Sequence, residues 1–257
     1  METTRKEGSL YTRFDGGLAI LEFGHPASNS LNSVLLDRLC RELEALSADS
    51  KVSAILIQSE GDRAFCAGAS FDELLEVSTL EQSKIFFSGF ARLINAMRTC
   101  YKPIVGKIQG KAVGGGVGLI AACDYVMATD KASLRLSELG IGIAPLVIAP
   151  AVARKAGVSG LSEMALAPSE WKSAYWGKER GLYSKVFESR ASLNKESEFF
   201  ARELASQSPE ALKLLKQALW EGTEHWDRLL TDRAAMTGKL ALSEKAQKTI
   251  AEFKNKS

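Results

Sequence analysis

The chain has 257 residues with 33 basic and 31 acidic side chains, and its net charge of +2 offers no strong field to nucleic acid or an anionic membrane. Hydrophobic residues make up 46% and charged residues 25%, as in an ordinary globular protein. No apolar stretch approaches the ~18 residues that span a bilayer, and we expect no membrane segment. The polar N-terminal residues lack the apolar core of a signal peptide. The four cysteines are scattered, and their spacing predicts neither metal binding nor disulfides. We therefore expect a cytoplasmic protein.

Apolar patterning predicts strands that alternate with helices along the first part of the chain. Strands are predicted over four runs: 18–23, 54–57, 104–108 and 125–128. One helix begins after Asn32, because leucines recur on one helical face from Leu35 to Leu46. A second amphipathic helix around 84–97 ends before Pro103. Strands separated by helices predict an α/β fold with parallel pairing.

After about residue 190 the pattern predicts helices only. Ser208 and Pro209 mark a helix start, because serine caps the first turn and proline is well accommodated in that turn. Leucines and a methionine supply apolar surface in this region: Leu212, Leu215, Leu219, Leu229, Leu230 and Met236. We divide the chain into a core region, 1–192, and a C-terminal helical region, 193–257.

Two glycine-containing segments carry the strongest functional signal. The first is F-C-A-G-A at 65–69, after the apolar run at 54–57, and the second is G-G-G-V-G at 114–118, after the run at 104–108. A strand, a glycine turn and a helix start leave backbone N–H groups unpaired. Two such turns brought together can hold an oxygen that becomes negative during a reaction.

These segments, with C-D at 123–124 and S-E-L-G-I-G at 137–142, resemble the crotonase (enoyl-CoA hydratase/isomerase) superfamily in order and spacing. The resemblance implies a crotonase-like ββα spiral core over 1–192 that holds an acyl-CoA site, and a C-terminal helical extension over 193–257. It also implies a homotrimer or homohexamer built through that extension. From the residues alone, the extension equally fits a helical layer that covers its own core. Coenzyme A enters as part of the substrate, so neither a separate cofactor nor a metal is expected.

The resemblance also assigns site residues. The N–H groups of Ala69 and Gly115 would hold the thioester oxygen. The remaining substrate-binding positions that it implies are Ala67, Gly68, Gly114, Gly118, Ser28 and Asn29. The last two lie in the loop 25–31, which is one residue shorter than the family's loop beside the coenzyme A arm. Cys66 is expected to be a small packed residue rather than a nucleophile.

Glu138 is the expected acid–base residue, because it stands at the family's second glutamate position and partial burial would raise its pKa toward neutrality. Gly118 stands where hydratases of the family usually carry the first glutamate. Position 118 lies one helical turn beyond Gly114, so we expect a side chain there to face the substrate. A replacement acid could come from Asp72 or Glu73, though either could equally be a surface charge.

The missing glutamate leaves three functions open. A single base suffices to move a double bond, which favours an isomerase that converts 3-enoyl-CoA to 2-enoyl-CoA. The string from 116 to 150 resembles a branch that contains methylglutaconyl-CoA hydratases, where glycine also occupies the first place, and this favours an enoyl-CoA hydratase. We expect the hydratase. A non-catalytic CoA-binding or RNA-associated assembly protein is the alternative of another class.

Overall fold

The computed structural model describes residues 6–254, and two parallel-rich sheets form its centre. The strands are β1 (Ser9–Asp15), β2 (Leu18–Gly24), β3 (Ala54–Ser59), β4 (Ala64–Cys66), β5 (Ile104–Ile108), β6 (Lys111–Val113), β7 (Tyr125–Thr129), β8 (Leu134–Arg135) and β9 (Lys185–Phe187). The larger sheet has the order β1-β2-β3-β5-β7-β9. Only the β1–β2 pair is antiparallel in this sheet, so the expected α/β fold with parallel pairing is confirmed.

Helices connect the strands and form the C-terminal region. They are α1 (Ser33–Ala48), α2 (Phe71–Glu76), α3 (Leu80–Thr99), α4 (Gly115–Ala122), α5 (Ala149–Ala165), α6 (Ala174–Glu179), α7 (Arg190–Ala205), α8 (Pro209–Leu219), α9 (Trp226–Ala241) and α10 (Glu244–Lys254), with a 3-10 turn at Glu138–Ile141. Asn32 caps α1 by accepting from Leu35 N, and Ser208 caps α8 by accepting from Ala211 N. Both predicted helix starts are therefore confirmed. None of the helices in the described range is long and apolar enough to cross a bilayer.

A second sheet, with the order β4-β6-β8, escaped the sequence analysis. Its strands contain three, three and two residues, and both pairs are parallel. The first glycine-containing segment begins within β4 and its turn follows that strand, and the second follows β6 directly. The expectation that they follow the apolar runs at 54–57 and 104–108 is therefore corrected, since a short strand lies between each run and its turn.

The C-terminal region is tied to the core in two ways. Helix α7 packs through Ala201 on Leu18, Leu56 and Val105, so the boundary drawn at 192 falls inside a helix that covers the larger sheet. A buried ion pair of 2.6 Å joins Lys216 of α8 to Asp124.

That ion pair is fully supported by further hydrogen bonds. Asp124 Oδ1 accepts from Trp220 Nε1 at 2.7 Å, and Oδ2 also accepts from Ile104 N at 2.7 Å. Lys216 and Asp124 side chains are 1% and 6% exposed, so water contributes little to solvating them. A buried charge pair is tolerated when both partners keep their hydrogen bonds, and this pair fixes α8 to the start of β5.

Candidate active site

Three segments that carry the expected site residues leave the same edge of the small sheet. Ala67–Ala69 follow β4, Gly114 follows β6, and Glu138 lies three residues beyond β8. Because β4, β6 and β8 are parallel neighbours, their carboxyl ends meet at one edge. The sheet therefore brings together segments that are about 70 positions apart in the sequence.

The two glycine turns are in direct contact. Gly68 has φ +89°, and a Cβ atom on it would lie 2.8 Å from Val113 O and 3.4 Å from Gly115 N. Only a residue without a side chain fits this conformation and this approach. The turn after β4 therefore lies against the amino end of α4.

Each turn carries an amide for which the described residues supply no acceptor. Leu31 N donates to Gly68 O at 2.8 Å and Ser70 N donates to Leu31 O at 3.0 Å, a pattern that passes over the N–H of Ala69. Gly115 is the first residue of α4, and its N–H also has no acceptor within residues 6–254. Ala69 and Gly115 both line the cavity described below, so the residues that carry these two amides border the same space.

Close packing explains the glycines that follow Gly114. A Cβ atom on Gly115 would lie 2.5 Å from Phe90 Cζ, and one on Gly116 would lie 2.6 Å from Cys66 O.

Burial raises the pKa of the Cys66 thiol to about 12, against a smaller lowering by the N–H of Gly68. The thiol stays protonated at neutral pH, as a packed rather than a nucleophilic cysteine does.

Glu138 lies directly over the second turn. A Cβ atom on Gly114 would lie 2.9 Å from Glu138 Oε1. The residue as a whole is half-buried, but Oε2 is sealed from solvent and has no hydrogen-bond partner among the described residues. Burial raises the pKa of Glu138 from 4.5 to about 7, although the N–H groups of Glu138 and Ser137 oppose the shift. The carboxyl can therefore take up or release a proton at neutral pH.

A cavity of about 130 Å³ adjoins the two amides and the carboxyl. Its walls are mainly apolar and come from α3, from the segment 141–148, and from the neighbourhood of α2. Glu138 is the only ionisable side chain on these walls within the described range. An apolar group that carries a carbonyl oxygen would fit here, with the oxygen held by the amides and a proton donor or acceptor beside it.

Six of the predicted site residues line this cavity: Ala67, Gly68, Ala69, Gly114, Gly115 and Glu138. Ser28 and Asn29 lie outside the cavity wall. Asn29 is buried and its Nδ2 donates to Glu60 O and Ala64 O at 2.8 and 2.9 Å, while Ser28 O accepts from Ala67 N at 3.1 Å. These two residues fix the loop 25–31 against the β4 turn, and their contact with coenzyme A stays a prediction.

The structure places the three positions considered for a second carboxylate away from the cavity, so for Asp72 and Glu73 it favours the open alternative of a surface or structural charge. Gly118 points at Ile148 rather than into the cavity, because a Cβ atom on it would lie 2.7 Å from Ile148 Cβ. Glu73 accepts from Ser33 N at 2.8 Å and from Ser33 Oγ at 2.7 Å, which uses its carboxylate at the amino end of α1. Asp72 is exposed, and neither acid lines the cavity.

Sequence reasoning missed much of the cavity wall. Phe86, Phe87 and Phe90 follow the apolar face of α3, and that spacing is equally typical of core residues. Ile148 gave no signal beyond its apolar character. Thr237 of α9 lines the cavity from about 100 residues beyond Glu138, and nothing local in the sequence indicates it.

One known protein family and several curated relatives match this sequence. Residues 13–257 match the family described as enoyl-CoA hydratase/isomerase. The 2,3-dehydroadipyl-CoA hydratase of Escherichia coli is 33% identical over 210 residues, which cover 80% of this chain and 79% of that protein. The mitochondrial methylglutaconyl-CoA hydratase of Homo sapiens is 32% identical over 200 residues, which cover 76% of this chain and 58% of that protein.

The fold has close counterparts among solved structures. An enoyl-CoA hydratase from Bacillus halodurans superimposes with a TM-score of 0.87 over 95% of this chain and 99% of that chain, at 18% identity. This likeness confirms the crotonase fold with its C-terminal helical region. Together with the match over residues 13–257, it leads to one conclusion: this chain belongs to the enoyl-CoA hydratase/isomerase family of the crotonase superfamily.

Proposed function

We propose that this protein adds water to a 2-enoyl-CoA thioester. The observation that carries the proposal is the position of Glu138, whose buried carboxyl has a pKa of about 7 and lies against the turn that bears the unpaired Gly115 amide. The thioester oxygen would accept hydrogen bonds from Ala69 N–H and Gly115 N–H. Two donors held in place lower the energy of the enolate that forms when the β-carbon is attacked.

A single carboxyl can complete this reaction. As the water oxygen bonds to the β-carbon, the carbon–carbon π electrons move to the thioester oxygen, and carboxylate Glu138 accepts the water proton. The same group then donates that proton to the α-carbon, which returns the carboxylate and gives a 3-hydroxyacyl-CoA. The names of the E. coli and human relatives, both hydratases of enoyl-CoA thioesters, support hydration.

Isomerisation of a 3-enoyl-CoA is the second candidate, favoured by the single carboxyl on the cavity wall. Glu138 would remove a proton from the carbon beside the thioester and return it two carbons further along the chain. This reaction needs no water, so the apolar wall at Ile148 is no obstacle to it. The same two amides would stabilise the intermediate dienolate.

Product analysis separates these functions. Straight and branched 2-enoyl-CoA and 3-enoyl-CoA substrates would be incubated with the protein and resolved by liquid chromatography and mass spectrometry. We expect 3-hydroxyacyl-CoA from the 2-enoyl substrates. Double-bond migration without water addition would establish the isomerase instead, and no turnover of any substrate would favour the non-catalytic CoA-binding alternative.

We also propose that the chain assembles into a homotrimer or homohexamer. Leu215, Leu219 and Met236 are 55%, 47% and 57% exposed, which is more apolar surface than a covering layer needs. Leu212 and Leu230 are 5% and 0% exposed within one subunit and do not contribute to that surface.

The four cysteines are buried and unpaired, which is compatible with the cytoplasmic location expected from the sequence.

A further inference from the structure

The hydroxyl of Thr237 is an unpaired polar group in the cavity wall. Thr237 is 3% exposed, and its Oγ1 has no hydrogen-bond partner within residues 6–254. A hydroxyl buried in this way is costly, and native proteins rarely leave one unsatisfied without a functional reason.

Other threonines in helices of this protein behave differently. Thr99, Thr231 and Thr249 each donate to the carbonyl four residues earlier, at 2.9, 2.7 and 2.9 Å. That local bond is available to a helical threonine at little cost. Thr237 does not make it, so its hydroxyl is left for a partner in the cavity that it lines.

Thr237 borders the cavity on the α9 side, where α9 packs on the first turns of α3. Its neighbour Gly238 accepts from Ser83 Oγ at 2.8 Å, which places this turn of α9 beside the start of α3. Phe90, which contacts Gly115, is seven residues further along α3, a helical rise of about 10 Å. An acyl chain that has its carbonyl at the amides would therefore point its far end toward Thr237.

The cavity limits the size and charge of that far end. Its volume of about 130 Å³ is close to that of an engineered cavity of about 150 Å³ that binds benzene, so it suits a chain of about six carbons. No lysine, arginine or histidine is among the described residues that line it. A carboxylate at the far end would lose its hydration without gaining a cation, whereas a neutral oxygen would gain the hydroxyl.

We propose that Thr237 is a specificity-determining residue, which hydrogen bonds a neutral oxygen, a hydroxyl or a carbonyl, near the far end of a short acyl chain. The inference rests on the proposed function, because it takes the ligand to be an acyl-CoA with its carbonyl at Ala69 and Gly115. It names the class of substrate that the site selects.

Binding of saturated acyl-CoA probes tests the inference without turnover. Hexanoyl-CoA, 6-hydroxyhexanoyl-CoA and adipoyl-CoA, which ends in a carboxylate, would be titrated calorimetrically into the wild-type protein. The same titrations would use Thr237→Val, Thr237→Ser and the control Thr231→Val, in which the lost hydroxyl is bonded within its own helix. We expect the wild type to bind 6-hydroxyhexanoyl-CoA about tenfold more tightly than hexanoyl-CoA. Thr237→Val should abolish this preference, and Thr237→Ser and Thr231→Val should keep it.

The outcomes separate the inference from the function on which it rests. Equal affinity of the wild type for the two neutral probes, or an unchanged preference in Thr237→Val, would overturn the role of Thr237. Tightest binding of adipoyl-CoA would overturn the choice of a neutral oxygen. If none of the three thioesters binds, the proposed function itself fails. If Thr237→Val does not fold, Thr237→Ala, which also lacks the hydroxyl, takes its place in the same titrations.

Discussion

Ile148 occupies the space that a side chain at Gly118 would need. A Cβ atom on Gly118 would lie 2.7 Å from Ile148 Cβ, and Ile148 itself forms part of the cavity wall. The position where hydratases of this family usually carry a glutamate is thus filled by an apolar side chain that comes from a different segment. Glycine at 118 and isoleucine at 148 form a packed pair, so neither can be changed without regard to the other.

The first prediction concerns this pair. Gly118→Glu alone should lower the free energy of unfolding by about 1–3 kcal/mol, because the core around Ile148 would be overpacked. The double variant Gly118→Glu/Ile148→Ala should recover stability and place a second carboxyl at the cavity wall. Urea unfolding and the ratio of hydroxyacyl to rearranged product would be measured for both variants, with Ile148→Ala as the control.

We expect the double variant to hydrate a 2-enoyl-CoA faster than Ile148→Ala does. An equal loss of stability in the single and double variants would show that the contact does not limit position 118.

The second prediction is that Glu138 carries proton transfer. Glu138→Gln should lower turnover by ~10²–10⁴ and leave acyl-CoA affinity nearly unchanged, as for a lost acid–base group. Because the carboxylate form accepts the proton, kcat/KM of the wild type should rise with pH and level off above about pH 7. The matched control is Glu73→Gln, since Glu73 is engaged by Ser33 outside the cavity. Normal turnover in folded Glu138→Gln protein would remove Glu138 from the mechanism.

The third prediction concerns stability and pH. The pKa of Glu138 is raised from 4.5 to about 7 in the folded protein, so its contribution to stability is fully present below about pH 4.5 and is lost as pH rises through about 7. The free energy of unfolding of Glu138→Gln, relative to wild type, should therefore increase across this range by up to roughly 3 kcal/mol. Urea titrations at several pH values measure it. A difference that does not vary with pH would mean that the carboxyl is not buried as described.

The fourth prediction concerns the attachment of α8. Lys216→Met should lower the free energy of unfolding by about 3–5 kcal/mol, because it leaves the Asp124 carboxylate buried without its cation. Lys239→Met, at an exposed position of α9, should change stability by about 0.5 kcal/mol or less. The double variant Asp124→Asn/Lys216→Met should be more stable than Lys216→Met, as chemical denaturation would show. A double variant less stable than Lys216→Met would argue against a charge effect.

The fifth prediction concerns assembly. Leu215→Glu and Leu219→Glu should lower the mass measured by sedimentation at micromolar concentration, because they put a charge on exposed apolar surface of α8. Neither change should unfold the subunit, since both side chains are about half exposed. A wild-type protein that sediments as a stable monomer would contradict the proposed oligomer.

Local sequence signals were sufficient for four strands of the larger sheet, β2, β3, β5 and β7, and for two helix starts, whereas the edge strands β1 and β9 were not predicted. Asn32 and Ser208 cap the helices that they were predicted to cap, because their oxygens satisfy amides only a few residues away. The strands β4, β6 and β8 were missed because two or three residues cannot display an alternating pattern. They exist through pairing between distant segments, as in the Ala112–Leu134 contact.

In the candidate site, too, local segments gave a signal in the sequence and contacts between distant segments did not. The two glycine turns could be identified because each is a short segment with a recognisable composition, whereas Glu138 was predicted from the family resemblance and not from its local sequence. Helical geometry led us to expect that position 118 faces the substrate, but a side chain there would meet Ile148, which packs there from a segment 30 residues away. Thr237 escaped notice for a related reason: only the packing of α9 on α3 brings it to the cavity.

The small sheet holds the two amides and Glu138, whereas the far wall of the cavity belongs to helices outside this sheet. The two amides and Glu138 are held by main-chain pairing among β4, β6 and β8, with the amide donors belonging to the backbone itself. The far wall, in contrast, is built from side chains of α3 and α9 that pack on this frame from outside. Substitutions on those helices can therefore reshape the cavity while the two amides stay in register.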